Sequence, residues 1–310
     1  MVASESIDIY VGADRSQLLA VAVLEHSIRR HTARPVLVRP LIDLDLPEPR
    51  DIRQGSRTNF SFARFAIPEL AGYAGRGLYL DADMLVFRDI GELWDIPLEG
   101  ASAAIQEELP EHAVSHQKAG APAKRVKQCS VMLIDCARAR WDVHRIVAGL
   151  DGRYSYEELM HQLCILPESE LHYAVPFAWN SLEHFDESTR LIHYTDMDTQ
   201  PWVSPANRHG RLWLEEVRLM LDTGALGKPE IRTEIELGYF RPSLLCELEE
   251  MPHGAGWDAA AAARYAAMDQ RAGFVRHAEV YRRKKLRAEA IKRLQATGVK
   301  DLRKVGPIES

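Results

Sequence analysis

Cysteine is scarce in this sequence: Cys129, Cys136, Cys164 and Cys246 are the only four in 310 residues. They form no CxxC pair and no metal-site spacing. Four cannot staple a chain this long, so a disulfide scaffold is excluded and reduced thiols in a cytoplasmic setting are expected. Long apolar runs are missing too. No stretch of about 18 apolar residues occurs, which leaves no candidate for a spanning helix. The opening MVASESIDIYVG has no basic segment leading into an apolar one, so no cleaved signal is expected. There is no internal repeat. With 46% hydrophobic and 27% charged residues, the chain has the balance of a globular protein, not of a disordered or collagen-like one.

What is present is a length for about two domains at roughly 150 residues each, or for one α/β domain with an appendage. The charge is uneven. Residues 264–304 hold thirteen Lys and Arg against four Asp and Glu, whereas the 263 residues before them hold 26 against 40, a net −14. An acidic body is a poor nucleic-acid surface, and a basic tail suits something anionic.

The chain opens as βαβ: Ile7–Val11 reads as a strand, Gly12–Ser16 as a turn, Leu18–Arg30 as a helix and Pro35–Val38 as a second strand. Such units build parallel sheets whose ligands bind beyond the C-terminal strand ends, which directs attention to Val11–Ser16. Residues 58–72 read as a helix broken near Pro68, and Gly77–Leu80 as a buried strand running into Asp81-Ala82-Asp83. Further strands are expected at Ser102–Gln106, Ser130–Ile134 and Leu191–Tyr194, and helices at Ala137–Leu150, Tyr156–Leu166 and Arg211–Leu221. The polar stretch Glu107–Lys127 is too long for a simple connection and is expected to be functional, an acceptor-side lid by preference. Its His112 and His116 read as an incidental pair. From Trp257 to about Ala296 the composition favours one long helix, or two joined near Gly273.

Two carboxylates, Asp81 and Asp83, at the end of a strand can reach one divalent cation, and hard oxygen ligands suit Mg²⁺ or Mn²⁺. On its own, Asp-x-Asp is equally a turn-capping pattern. Asp14 can cap the helix that starts near Ser16.

The segment SFARFAIPELAGYAGRGLYLDADMLVFRDIGELWD, residues 61–95, resembles the metal-site region of nucleotide-sugar glycosyltransferases with the GT-A fold, most closely the retaining family 8 group. Arg64, Ile67–Leu70, Asp81–Asp83 and Asp89–Trp94 carry that likeness. IYVGADRSQLLAVAVLEHSI, CSVMLIDCARARW and HYTDMDTQPW extend it along most of residues 6–202. The resemblance implies an α/β fold of the GT-A, Rossmann-like type with a central mainly parallel sheet, in a catalytic domain of residues 1–250. Residues 251–310 are then a basic helical extension.

It further implies a metal held by Asp81, Asp83 and His193, and a donor nucleotide contacted by Val11, Gly12, Ala13, Asp14, Arg64, Ala82, Gln128 and Gln200. Arg64 would hold the diphosphate or the Asp-x-Asp turn. The implied reaction is Mn²⁺- or Mg²⁺-dependent transfer of a hexosyl group, with retention, from UDP-glucose or UDP-galactose to an acceptor hydroxyl. The expected acceptor is a surface or lipid-linked glycan. Departures from the family stand at Gln128, at Tyr156-Glu157-Glu158, at Gln200 where the family has a phosphate-binding Lys, and at Gln17 where an aromatic flanks the uracil. Glu157 replaces a Gln and is a candidate catalytic carboxylate beside Asp81, Asp83 and Arg64. The basic residues 264–304 suit an anionic membrane surface, which would put the enzyme at the inner face of a membrane; solvated charge or an oligomer contact explains them equally. A non-catalytic donor-binding domain with a partner-recruiting tail, or a nucleotidyltransferase, is the alternative reading.

Overall fold

The computed structural model describes residues 6–56, 58, 60–108, 119–120 and 127–298. His112 and His116, and most of the expected Glu107–Lys127 lid, lie outside the described residues. The strands are β1 Ile7–Gly12, β2 Val36–Leu41, β3 Arg76–Asp81, β4 Met84–Val86, β5 Ala103–Gln106, β6 Val131–Asp135, β7 Leu171–Val175, β8 Ser181–Leu182 and β9 Leu191–His193. The helices are α1 Leu18–His31, α2 Ile67–Leu70, α3 Gly91–Trp94, α4 Cys136–Ala139, α5 Val143–Gly149, α6 Tyr156–Gln162, α7 Gly210–Thr223, α8 Lys228–Glu236, α9 Leu244–Glu250, α10 Ala259–Arg271 and α11 Ala278–Ala296.

Six strands form one sheet in the order β2-β1-β3-β6-β5-β7, and β4-β9-β8 form a small second one. β1 is parallel to β2 and β3, and β5 to β7; β6 runs antiparallel to both its neighbours. The central sheet is therefore mainly parallel, as the βαβ opening implies. Its strands are apolar on both faces because both faces are covered. Ile7, Ile9, Leu78 and Leu80 pack with Val21, Leu24 and Ile28 of α1 on one side. Tyr10, Tyr79, Met132 and Ile134 pack with Phe65, Ile67 and Leu159 on the other. A third cluster stacks Trp202, Trp213 and Phe240. It pins the chain after β9 against α7, and Arg241 N donates to Trp202 O at 2.8 Å to fasten it.

Local expectations differ from the structure at three places. The segment 58–72 is not a helix broken at Pro68. A 3₁₀ turn, Ala63–Ala66, leads into α2, and Pro68 sits in its first turn, where the lost N–H has no partner in any case. Ala137–Leu150 is two helices, because Arg140 adopts a left-handed φ of 38° and Asp142 caps a fresh start through Arg145 N. The helix expected at Tyr156–Leu166 ends at Gln162, where Leu163 turns left-handed at φ 45°.

Between α10 and α11, Gly273 (φ 72°) makes the turn, so the C-terminal region is two helices. α10 is tied to α9: Asp269 accepts from Ser243 N at 2.8 Å and from Ser243 Oγ at 2.9 Å, and Tyr265 OH donates to Glu250 at 2.9 Å. α11 buries no residue fully and lies against a 3₁₀ turn at Ile52–Gln54. Among the described residues no helix is long and apolar enough to cross a membrane.

Candidate active site

β1 and β3 end side by side. Gly12 is in register with Asp81, and Ala82 N donates to Gly12 O at 3.2 Å. The chain then turns at Ala82-Asp83 into β4, where Met84 is in register with His193 of β9 and Tyr194 N donates to Asp83 O at 2.8 Å. Two sheets thus deliver the three residues to one point. His193 Nε2 lies 3.1 Å from Asp83 Oδ1 and 3.9 Å from Asp81 Oδ2, and one ligand atom from each residue lies within 4.8 Å of the others.

Each member is held from behind. The Tyr79 hydroxyl donates to Asp81 Oδ1, and Arg64 Nη2 reaches the same oxygen at 3.4 Å. Arg64 is buried, donates through Nη1 to Cys129 O, and carries its guanidinium 4.5 Å from the Tyr79 ring centroid. Of the two roles expected for Arg64, its bonds fit holding the Asp-x-Asp turn. Gln200 is buried, and its amide nitrogen donates to Asp83 Oδ2 at 2.7 Å and to Tyr194 O at 3.1 Å.

Asn180 orients the histidine. Its amide nitrogen donates to Gln106 Oε1 at 3.1 Å and to Ser130 Oγ at 3.0 Å, so its Oδ1, 2.9 Å from His193 Nδ1, is the acceptor there. The imidazole proton is placed on Nδ1, and the Nε2 lone pair faces the carboxylates, the arrangement a metal-ligating histidine takes. Asp83 Oδ1 is buried and makes no hydrogen bond of good geometry. An orphaned carboxylate oxygen beside a second carboxylate and an imidazole lone pair fits a divalent cation of the Mn²⁺ or Mg²⁺ kind. No metal is needed to see the electrostatic tension. Burial pushes the Asp81 carboxyl up against the pull of Arg64, with Asp83 adding to the rise. Burial alone would lower His193, but Asp83 and Asp81 hold it above the ordinary histidine value.

The other expected residues fall as follows. Val11, Gly12 and Ala13 are buried at the end of β1. Gly12 is required by a close approach: a Cβ there would stand 2.2 Å from the Tyr79 hydroxyl that serves Asp81. Asp14 does cap, its Oδ1 accepting from Ser16 N at 2.8 Å, and Gln17 completes the capping box. Beside Asp14 a cavity of about 270 Å³ opens between Ser16, Thr58, Tyr239 and His277. Ala82 is buried in the turn; Gln128 is half-buried, next to the Cys129 carbonyl that Arg64 grips. Glu157 stands in the first turn of α6 and pairs with Arg287 at 3.3 Å, outside the three-residue cluster. Sequence reading missed Tyr79, Asn180 and His277. Tyr79 was legible, since i and i+2 on a strand share a face; Asn180 and His277 reach the site only through tertiary folding.

Residues 45–141 match Glycosyl transferase family 8. Protein CDI of Arabidopsis thaliana is 29% identical over 228 residues, covering 67% of this chain and 85% of that protein. The galactosyltransferase LgtC, solved with donor and acceptor sugar analogues, superposes with a TM-score of 0.50 and 18% identity over 68% of this chain and 95% of its own. The bifunctional glycosyltransferase WbbM gives 0.49 and 13%, and the match spans 70% of this chain and half of that one. The chain is a GT-A glycosyltransferase similar to family 8.

Two outcomes are expected from the site geometry. Asn180→Ala should weaken Mn²⁺ binding about 10- to 100-fold by calorimetry, with the thermal transition still cooperative; unchanged affinity would show that His193 needs no such support. Because a ligand imidazole must be unprotonated and His193 titrates above its usual value, Mn²⁺ affinity should rise between about pH 6 and pH 8. A flat profile over that range would remove His193 from the ligand set.

Proposed function

We propose that this protein transfers a hexosyl group from UDP-glucose or UDP-galactose to a hydroxyl of a surface or lipid-linked glycan, in a reaction that depends on Mn²⁺ or Mg²⁺ and retains the anomeric configuration. The observation that carries the reading is the Asp81, Asp83 and His193 cluster at the C-terminal ends of β3 and β9, beside the β1 turn. Ligands of parallel sheets bind at such strand ends. The cavity next to Asp14 supports a nucleoside there, with Val11, Gly12 and Ala13 beneath it. Asp14 caps through Oδ1, which leaves its second oxygen for a ribose hydroxyl. Retention rests on the likeness to the retaining family alone.

A divalent cation at the cluster supplies charge neutralisation to a departing nucleoside diphosphate. The chain's own residues do the rest. Arg64 and Tyr79 fix one oxygen of Asp81, so the other is turned to the cluster. Gln200 does the same for Asp83, and Asn180 for His193. This preorganisation spares the site any rearrangement as charge develops, which is where most electrostatic catalysis arises. Glu157 is kept in this reading as the carboxylate nearest to the reacting sugar, and residues 1–250 as the catalytic domain with 251–310 as its extension.

Calorimetric titration of UDP with and without Mn²⁺ tests the donor site. Metal-dependent binding is expected in the wild type and its loss in the Asp81→Asn/Asp83→Asn protein; equal binding by both would sink the assignment. For Glu157→Gln, turnover of the donor should fall far more than donor affinity, and an unaltered turnover would take Glu157 out of the chemistry.

A further inference from the structure

Positive charge is short where a diphosphate would leave. Asp81 and Asp83 already balance a divalent cation, Arg64 is spent on Asp81 and Cys129 O, and the side chain that faces Asp83 from the loop after β9 is the neutral Gln200. A nucleoside diphosphate bound there needs a further cation.

α11 brings one from the far end of the chain. His277, at its N-terminus, hydrogen-bonds to the Met197 backbone and feels Asp14, Asp83 and Asp198. Its Nε2 is buried without a partner among the described residues. The Tyr281 hydroxyl donates to Asp198, and Arg276 Nε donates to the same carboxylate at 2.9 Å. Two turns from His277, on the same helix face, Lys284 Nζ rests 4.0 Å from Met197 Sδ and 5.0 Å from the Tyr281 ring centroid. Among the described residues no carboxylate lies within 4.0 Å of that ammonium group. Further on, Arg287 donates through Nε to Arg53 O at 2.7 Å. The helix therefore spans from the β1 turn and the Met197 loop to the start of α6, across the side of the sheet where Asp81 and Asp83 emerge. Met197 is three residues from Gln200, so the Lys284 ammonium is held over the loop that ends on the metal cluster.

We propose that α11 is the roof of the donor site and that Lys284 is its diphosphate-binding cation, while His277 closes the nucleoside end. This rests on the nucleotide-sugar reading above. Arg276, Tyr281 and Arg287 latch the helix, and Lys284 is left with its charge uncancelled for an anion to use. An ammonium on a flexible stem suits this task, since it can follow the diphosphate as the bond to the sugar breaks.

The test compares UDP with uridine, each with Mn²⁺, by calorimetry on the full chain. Lys284→Ala should weaken UDP about tenfold or more and leave uridine within about twofold, because a charge-assisted contact to the diphosphate is lost and nothing else. Lys284→Arg should recover most of the UDP affinity, and Lys285→Ala, on an exposed position of the same helix, should leave it unchanged. Wild-type UDP binding that Lys284→Ala does not alter would overturn the role of α11 alone; absence of metal-dependent UDP binding in the wild type would overturn this role and the proposed function together. If Lys284→Ala and Lys285→Ala equally reduce sedimentation with phosphatidylserine vesicles while UDP affinity holds, the helix is a lipid-binding element and the roof is refuted.

Discussion

Two carboxylates pressed into the same buried turn are the constraint around which this molecule is arranged. Asp81 and Asp83 repel each other and are desolvated, and such a pair persists only where donors and opposite charges surround it. Every neighbour meets that need: a tyrosine and an arginine for one, an amide for the other, and an imidazole facing both. The glycine at the end of β1 leaves room for the tyrosine, and an asparagine fixes the imidazole. Remove the carboxylates in thought, and this polar lining inside an otherwise apolar sheet has no reason to exist.

The arrangement also explains why the site is built from two sheets. A single parallel sheet ends its strands on one edge, but it cannot turn a histidine toward the residue that has just left β3. The small β4-β9-β8 sheet does this by pairing Met84 with His193 directly after the turn, while β8 sets Asn180 one residue before its own start. Rigid strands position the ligands, and the Trp202, Trp213 and Phe240 stack anchors the loop that carries Gln200.

Much of this could be read in the sequence, and the part that could not has a physical reason. The strand that delivers Asp81 is four apolar residues ended by a carboxylate, a pattern that survives without any tertiary information, and the flanking residues 61–95 resemble a known family. The break at Arg140 could not be seen, because a left-handed arginine has no composition signature. Gln200 read as a missing cation; in the structure it is a buried amide tying Asp83 to the Tyr194 carbonyl, a role that depends on which side chain lies opposite. Glu157 was placed by its neighbours in sequence, whereas its ion pair comes from a helix 130 residues later. The basic tail showed its charge but not its direction, since the composition of an amphipathic helix does not say which surface lies beneath it.

The hydrogen bond from Arg287 to Arg53 joins residues 234 apart. During synthesis the sheet, its core and the three cluster residues are all complete while the last helix is still being added, and closure across so long a loop comes late. For that interval the polypeptide holds a formed sheet with an open mouth, so every nascent molecule passes through a stage at which its own C-terminus is the missing piece. Any early stop in translation would leave a folded but unroofed body, which ties the completeness of the finished site to the completeness of the message that encodes it.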